Sequence, residues 1–244
     1  MGLVFRGVHP LFTSASQEKA KENLERSPYF WWFEYLKRNE DYRNCCLNGG
    51  NGPLADLYKD WGVVLNDTSF KAWWRERGFY LFSERRKSIQ LQELESQSQW
   101  DPTWTAQEVM VVAVPLDLPK RYIQGFLARL LKSRHKGKRG RQARDDKAPS
   151  TARYPLNRVT VISALRIQLS VYDAVIASKR GENVRTLAKI GADMALVKSA
   201  MPSPRDRPKE AADKRAVMAA TVSRYFRQAK QNIDATTRGI FPLI

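Results

Sequence analysis

The 244-residue chain is 43% hydrophobic and 27% charged, and its 42 Lys and Arg against 25 Asp and Glu give a formal net charge of +17. Its 7 Trp, 9 Tyr and 10 Phe exclude a disordered chain, which cannot bury that much apolar area. No apolar run approaches the roughly 18 residues that cross a bilayer, and the only cysteines, Cys45 and Cys46, are adjacent, which suits neither a disulfide framework nor the usual metal spacings.

The first hundred residues read as an aromatic-rich helical unit. Ser27-Pro28 is an N-cap and N1 pair, after which Phe30, Phe33, Leu36, Tyr42 and Cys45/Cys46 recur at helical spacing up to the stop Leu47 to Pro53, with its three glycines. A short helix is expected over Leu54 to Trp61, and another, capped by Asp67 or Thr68, carries Phe70, Trp73 and Trp74 and ends at Gly78. The aromatic density reads as a core ahead of a base-stacking platform, because basic residues are not interleaved in excess.

Ser88 to Leu94 and the Val-rich Glu108 to Leu116 read as strands of a small two- or three-stranded sheet. Asp117-Leu118-Pro119 then opens a helix whose Ile123, Phe126, Leu127, Leu130 and Leu131 form one apolar face that covers the sheet. From Lys132 onward, Arg134, Lys136, Lys138, Arg139, Arg141 and Arg144 follow with no acidic residue among them, so residues 133–152 read as a basic flexible loop able to follow a phosphate backbone. Three helical patterns complete the chain: Val161 to Ile176, Val184 to Val197, and Ala211 to Thr236, the last two separated by the Pro-rich stretch Met201 to Pro208.

These elements make an α+β, mainly α, chain with four parts. They are an aromatic-rich helical domain over 1–87, a small sheet plus helix over 88–132, the basic loop over 133–152, and a helical nucleic-acid-binding domain over 153–244. Charge follows the same division: residues 1–100 hold 14 basic and 13 acidic side chains, and residues 101–244 hold 28 and 12. Such asymmetry points to a polyanion, and nucleic acid, DNA ahead of RNA, is the expected partner. Lipid is the weaker expectation, since six of the seven Trp lie in the near-neutral hundred residues, and no membrane partner is expected. Met1 to Pro10 lacks the apolar segment of a secretory signal, so the expected compartment is the cytoplasm.

The binding chemistry concentrates in the last sixty residues. Arg224, Arg227, Gln228 and Gln231 fall at i, i+3, i+4 and i+7 on one helical face, the side-chain types that bond base edges or phosphates. Lys230 and the pair Lys214/Arg215 flank them as phosphate contacts, and Lys132, Arg134 and the loop cations add more. No metal cluster, P-loop or nucleophile elbow is present in the sequence, so no cofactor and no catalytic residue is expected; Tyr225 falls on the apolar face of its helix and reads as a core tyrosine. One enzymatic alternative stays open. Arg129 and His135 fit the loose Arg…His pattern that resembles dimeric helical ribonucleases, with His as general acid/base and Arg stabilising the phosphorane. A third alternative is an accessory subunit of a nucleoprotein assembly, with the N-terminal domain supplying self-association or partner contact.

Thr186-Leu-Ala-Lys-Ile-Gly-Ala192 resembles the first helix and turn of a bacterial helix-turn-helix, and Thr221-Val-Ser-Arg-Tyr-Phe226 resembles the start of its recognition helix, although some twenty residues separate them where three or four are usual. The strings Ser27 to Trp32 and Tyr35 to Arg43, together with the ending Ala220 to Tyr225 and Phe241-Pro242, resemble regulator-like proteins of bacterial mobile elements. That resemblance implies a DNA-binding role in transcription regulation within a plasmid, prophage or integrative element.

Overall fold

The computed structural model describes residues 3–13, 16–85, 93–99, 109–134, 150–158 and 161–243. In chain order the elements are β1 (Leu3–Val4), α1 (Gln17–Glu25), α2 (Pro28–Lys37), α3 (Glu40–Leu47), α4 (Ala55–Trp61), α5 (Phe70–Trp73), α6 (Phe79–Phe82) and β2 (Glu84–Arg85). They continue with α7 (Lys120–Arg134), α8 (Ile162–Lys179), α9 (Leu187–Asp193) and α10 (Pro208–Thr236), so the chain is mainly helical. It forms two compact units, Met1–Arg86 with Ser150–Ile244, and Lys87–Pro149. No described helix is long and apolar enough to cross a membrane.

In the first unit, local side-chain chemistry sets the helix starts. The Ser16 hydroxyl accepts from the Lys19 N–H at 3.3 Å to begin α1, and Pro28 occupies the first turn of α2, where a missing N–H costs nothing. The apolar periodicity of Tyr29 to Cys46 does not make one helix, because the chain breaks at Asn39. Asn39 Oδ1 accepts from the Tyr42 N–H at 2.9 Å and so caps α3, while its Nδ2 donates to the Ile233 carbonyl of α10 at 3.2 Å. Gly78 likewise does not end its helix: α5 passes through one π-helical turn, Trp74–Gly78, directly into α6. A Cβ at Gly78 would lie 2.5 Å from the Trp73 ring and 2.7 Å from the Trp74 ring, so glycine is what lets both indoles fold back on the turn.

Those indoles belong to a core that closes the two ends of the sequence on each other. Trp32, Phe33, Tyr35, Leu36, Tyr42 and Trp61 are fully buried, and the same cluster takes in Leu165 and Leu169 of α8, Ala229 and Ile233 of α10, and Phe241. Trp61 stacks on Trp73 with centroids 5.0 Å apart, and Trp32 packs on Phe241 at 5.4 Å. The boundary expected near residue 153 is therefore replaced by an interior shared between the aromatic helices and α8 and α10. Cys45 and Cys46 sit buried on α3 as free thiols. A smaller cluster of Val171, Val175, Ile190 and Val222 joins α8, α9 and α10.

The sheet differs from expectation. The strand pair among the described residues is β1 with β2, antiparallel, Leu3 opposite Arg85 and Val4 opposite Glu84. Most of the strand expected over Ser88 to Leu94 lies outside the described residues, and 109–115 carry no ladder: Pro115 removes a donor and no described strand runs alongside. In the second unit the expected helix is present as α7, with the chain from Val112 to Leu118 beside it in place of a sheet.

Candidate nucleic-acid interface

The 29-residue α10 starts with Pro208 in its first turn and lies against α8, α9 and α2. Its inner face buries Met218, Val222, Ala229 and Ile233, with Tyr225 and Phe226 half-buried. Phe226 stacks on Tyr172 of α8 with centroids 5.4 Å apart and planes at 11°, and the Lys179 ammonium lies 4.9 Å from the Phe226 centroid.

A polar seam fixes the register of α10 against α8 and α2. Asn232, fully buried, donates from Nδ2 to Gln168 Oε1 at 3.2 Å and accepts from the Leu243 N–H at 2.8 Å. Gln168 Nε2 in turn donates to Gln228 Oε1 at 3.2 Å, and the Tyr35 hydroxyl donates to the Leu165 carbonyl at 3.0 Å. Burial pushes the Tyr35 phenol well above its ordinary range, so it stays a donor at any working pH. With apolar packing and this seam on one side, the opposite side of α10 is presented rigidly.

On that outward side Arg224, Arg227, Lys230 and Gln231 are exposed, and Arg215 is exposed one to two turns of helix earlier along the element than Ala220. The Arg224 guanidinium lies 5.2 Å from the Tyr225 ring, which steadies this exposed side chain. Two residues expected on the binding face are engaged within the fold. Gln228 is half-buried and belongs to the seam. The Lys214 ammonium is held by Asp206 at 2.5 Å and Glu210 at 3.1 Å, which pulls the Asp206 carboxyl below its usual range and pins the preceding loop to the helix. Lys132 and Arg134 are exposed on the last turn of α7 in the other unit, and Lys136, Lys138, Arg139, Arg141 and Arg144 lie outside the described residues.

The helix-turn-helix geometry expected from Thr186 to Phe226 is replaced by another arrangement. Thr186 does cap α9, its hydroxyl accepting from the Lys189 N–H at 3.2 Å. Gly191, however, is inside α9 and buried against α10, while the turn is made by Ala195 at φ 48° and the one-turn helix Lys198–Ala200. Residues 194–207 join α9 to α10, and Thr221 to Phe226 fall mid-helix, whereas a helix-turn-helix reads bases with the first turns of its second helix.

Lys179 and the seam residues Gln168 and Asn232 were not singled out by sequence. The signal was there for Gln168, a polar residue between Leu165 and Leu169 on an otherwise apolar face.

A polar cleft elsewhere in the first unit is already paired within itself. This cleft of about 250 Å³ is lined by Asp56, Asp60, Arg153, Tyr154 and Arg238, but Asp60 Oδ2 already accepts from Arg153 Nε at 2.6 Å and the Tyr154 hydroxyl at 2.7 Å. Burial and the Asp60 carboxylate push the Tyr154 phenol up to about 12. Among the described residues no group of three or more His, Cys, Asp or Glu could hold a metal ion. Of the ribonuclease-like pair, Arg129 is exposed on α7 and His135 lies outside the described residues. No protein-family model, curated protein or solved structure matches the chain.

Proposed function

We propose that the chain is a non-catalytic DNA-binding protein that reads duplex DNA with the exposed middle of α10. The observation that carries this reading is the contrast between the two sides of one helix. The inner side is fixed by Met218, Val222, Ile233 and the Gln168–Asn232 bond, while the outer side presents Arg224, Arg227 and Gln231 in a line with Lys230 beside them. A rigid helix carrying Arg and Gln fits the roughly 12 Å major groove, where these side chains bond G O6/N7 and A N6/N7. Ala216 and Ala220, exposed on the same element, leave room for close approach.

Lys230, Arg215 and Lys179 contact phosphates in this reading, and Asp213 and Asp234, also exposed, bound the reading segment at its two ends by repelling the backbone. The basic loop adds sequence-independent affinity. Together with the resemblance of both chain ends to mobile-element proteins, this supports a role in transcription regulation within such an element.

Selection of bound fragments from a random duplex pool tests the proposal. An enriched motif that disappears with Arg224→Ala/Arg227→Ala is the expected outcome, and binding without enrichment overturns sequence reading.

A further inference from the structure

α7 has an exposed apolar side that the DNA reading, which draws only on its last-turn Lys132 and Arg134, leaves unused. None of its fifteen residues is buried, although Tyr122, Ile123, Phe126, Leu127, Leu130 and Leu131 share one side of it. Tyr122 is 57% exposed, Phe126 44% and Leu131 45%. The chain from Val112 to Leu118 runs beside that side and leaves an open apolar cleft of about 240 Å³ between Val112, Val114, Ile123 and Leu127, and Leu116, 91% exposed, extends the apolar surface beyond the helix start.

The polar side carries Arg121, Arg129 and Lys132, with Lys120 and Arg134 at the two ends; no acidic residue occurs from Lys120 to Arg134, and Asp117 lies just before the helix. The Arg129 guanidinium sits 5.8 Å from the Phe126 ring at the edge between the two sides.

We propose that α7 is a membrane-surface helix that binds the plane of an anionic lipid bilayer, independently of the DNA reading on α10. Charge selects the occupant. A second copy of α7 would set five cations against five, and duplex DNA, its bases stacked inside, offers the phosphate backbone but no apolar surface to cover Phe126, Leu131 and Leu116. An anionic bilayer satisfies both sides at once: apolar side chains enter the headgroup–acyl boundary while Lys and Arg reach back to the phosphates. The apolar cleft accepts a stretch of acyl chain. The expectation against lipid rested on the Trp residues lying outside the basic half; the exposed Tyr122, Phe126 and Leu131 supply the apolar anchors within it.

The test is co-sedimentation of the full chain with vesicles of phosphatidylcholine alone and of phosphatidylcholine mixed with phosphatidylglycerol. Wild type partitions about tenfold or more in favour of the anionic vesicles. The neutral substitution Phe126→Ser/Leu131→Ser lowers that binding about tenfold while duplex-DNA affinity and helical circular dichroism stay within error of wild type. Arg121→Gln/Arg129→Gln/Lys132→Gln abolishes the preference for phosphatidylglycerol. Wild type left in the supernatant, or a Ser variant that binds as well as wild type, overturns the proposal, and so does capture of the vesicle-inert protein by an acidic Leu/Phe-rich peptide, which would make the cleft a protein site.

Discussion

Gly191 of α9 faces Met218 of α10 so closely that a Cβ on the glycine would stand 3.2 Å from both Cβ and Sδ of Met218. Val222 Cγ2 would be 3.1 Å away on the same side. This contact sets the distance between the helix that carries the Arg224 face and the helix that supports it. Gly191→Ala gains helix propensity of about 1 kcal/mol but presses on Val222 Cγ2 and Met218 Cβ, which must give by a few tenths of an ångström, so the two effects offset and near-neutral stability is expected. Gly191→Val has no such room and should destabilise by about 1–3 kcal/mol, read as a lower urea midpoint with an unchanged m-value. Equal midpoints for the two variants would contradict the packing described.

Asn232 joins the C-terminal segment to α8 from inside the core. Replacing it by Ala leaves the Leu243 N–H without its 2.8 Å acceptor and leaves Gln168 Oε1 with only the longer 3.4 Å contact from the Tyr35 hydroxyl. A buried group left unpaired costs about 1–3 kcal/mol, and the substitution also empties a fully buried position, so Asn232→Ala should be among the more destabilising changes in α10. Exposed Gln231→Ala, one residue away, should shift the denaturation midpoint by less than about 0.5 kcal/mol. The pair of measurements separates the inner and outer sides of the helix by stability alone.

His9 gives the fold a pH dependence of predictable sign. It packs edge-on to Phe5 at 4.8 Å and to Trp74 at 5.4 Å, and burial lowers its pKa below the usual 6.5. As the pH falls, the unfolded chain takes up this proton first, so the His9 contribution is complete above about 6.5 and is lost as the pH drops toward the lowered native value. Thermal unfolding between pH 7.5 and 5 should therefore show a falling midpoint that flattens in His9→Gln. An unchanged slope in the variant would assign the pH dependence elsewhere.

Helical periodicity and punctuation were legible in the sequence where one face is continuous, as in α10, whose apolar stripe matches its buried Met218, Val222, Ala229 and Ile233, whereas in α8 Leu165 and Leu169 are buried as expected but the helix also buries Val171, Ala174 and Val175 toward α9 and α10. Periodicity misled where a polar side chain or a glycine acts across elements. Asn39, which falls inside the helical spacing of Tyr29 to Cys46, caps α3 and reaches Ile233; Gly78 and Gly191 read as terminators but are points of close approach. The split into N- and C-terminal domains failed for the same reason, because an aromatic core shared by Trp32 and Phe241 leaves no mark on local pattern. Arg224, Arg227 and Gln231 were placed together by spacing alone, since solvent-facing i, i+3, i+7 positions need no tertiary information. Gln228 and Lys214 sit at the edge of that face, where their engagement with Gln168 and Asp206 depends on neighbours far along the chain or in the adjoining loop.

The most direct test of the account is the affinity of purified wild type, Arg224→Ala/Arg227→Ala and Lys214→Ala for a selected duplex across a salt series. The double variant should lose about 1–3 kcal/mol for each base contact removed, and Lys214→Ala, whose ammonium is already held by Asp206 and Glu210, should leave affinity and salt slope close to wild type. Undiminished binding by the double variant would contradict the central claim, because it would place the DNA on a surface other than the outward side of α10.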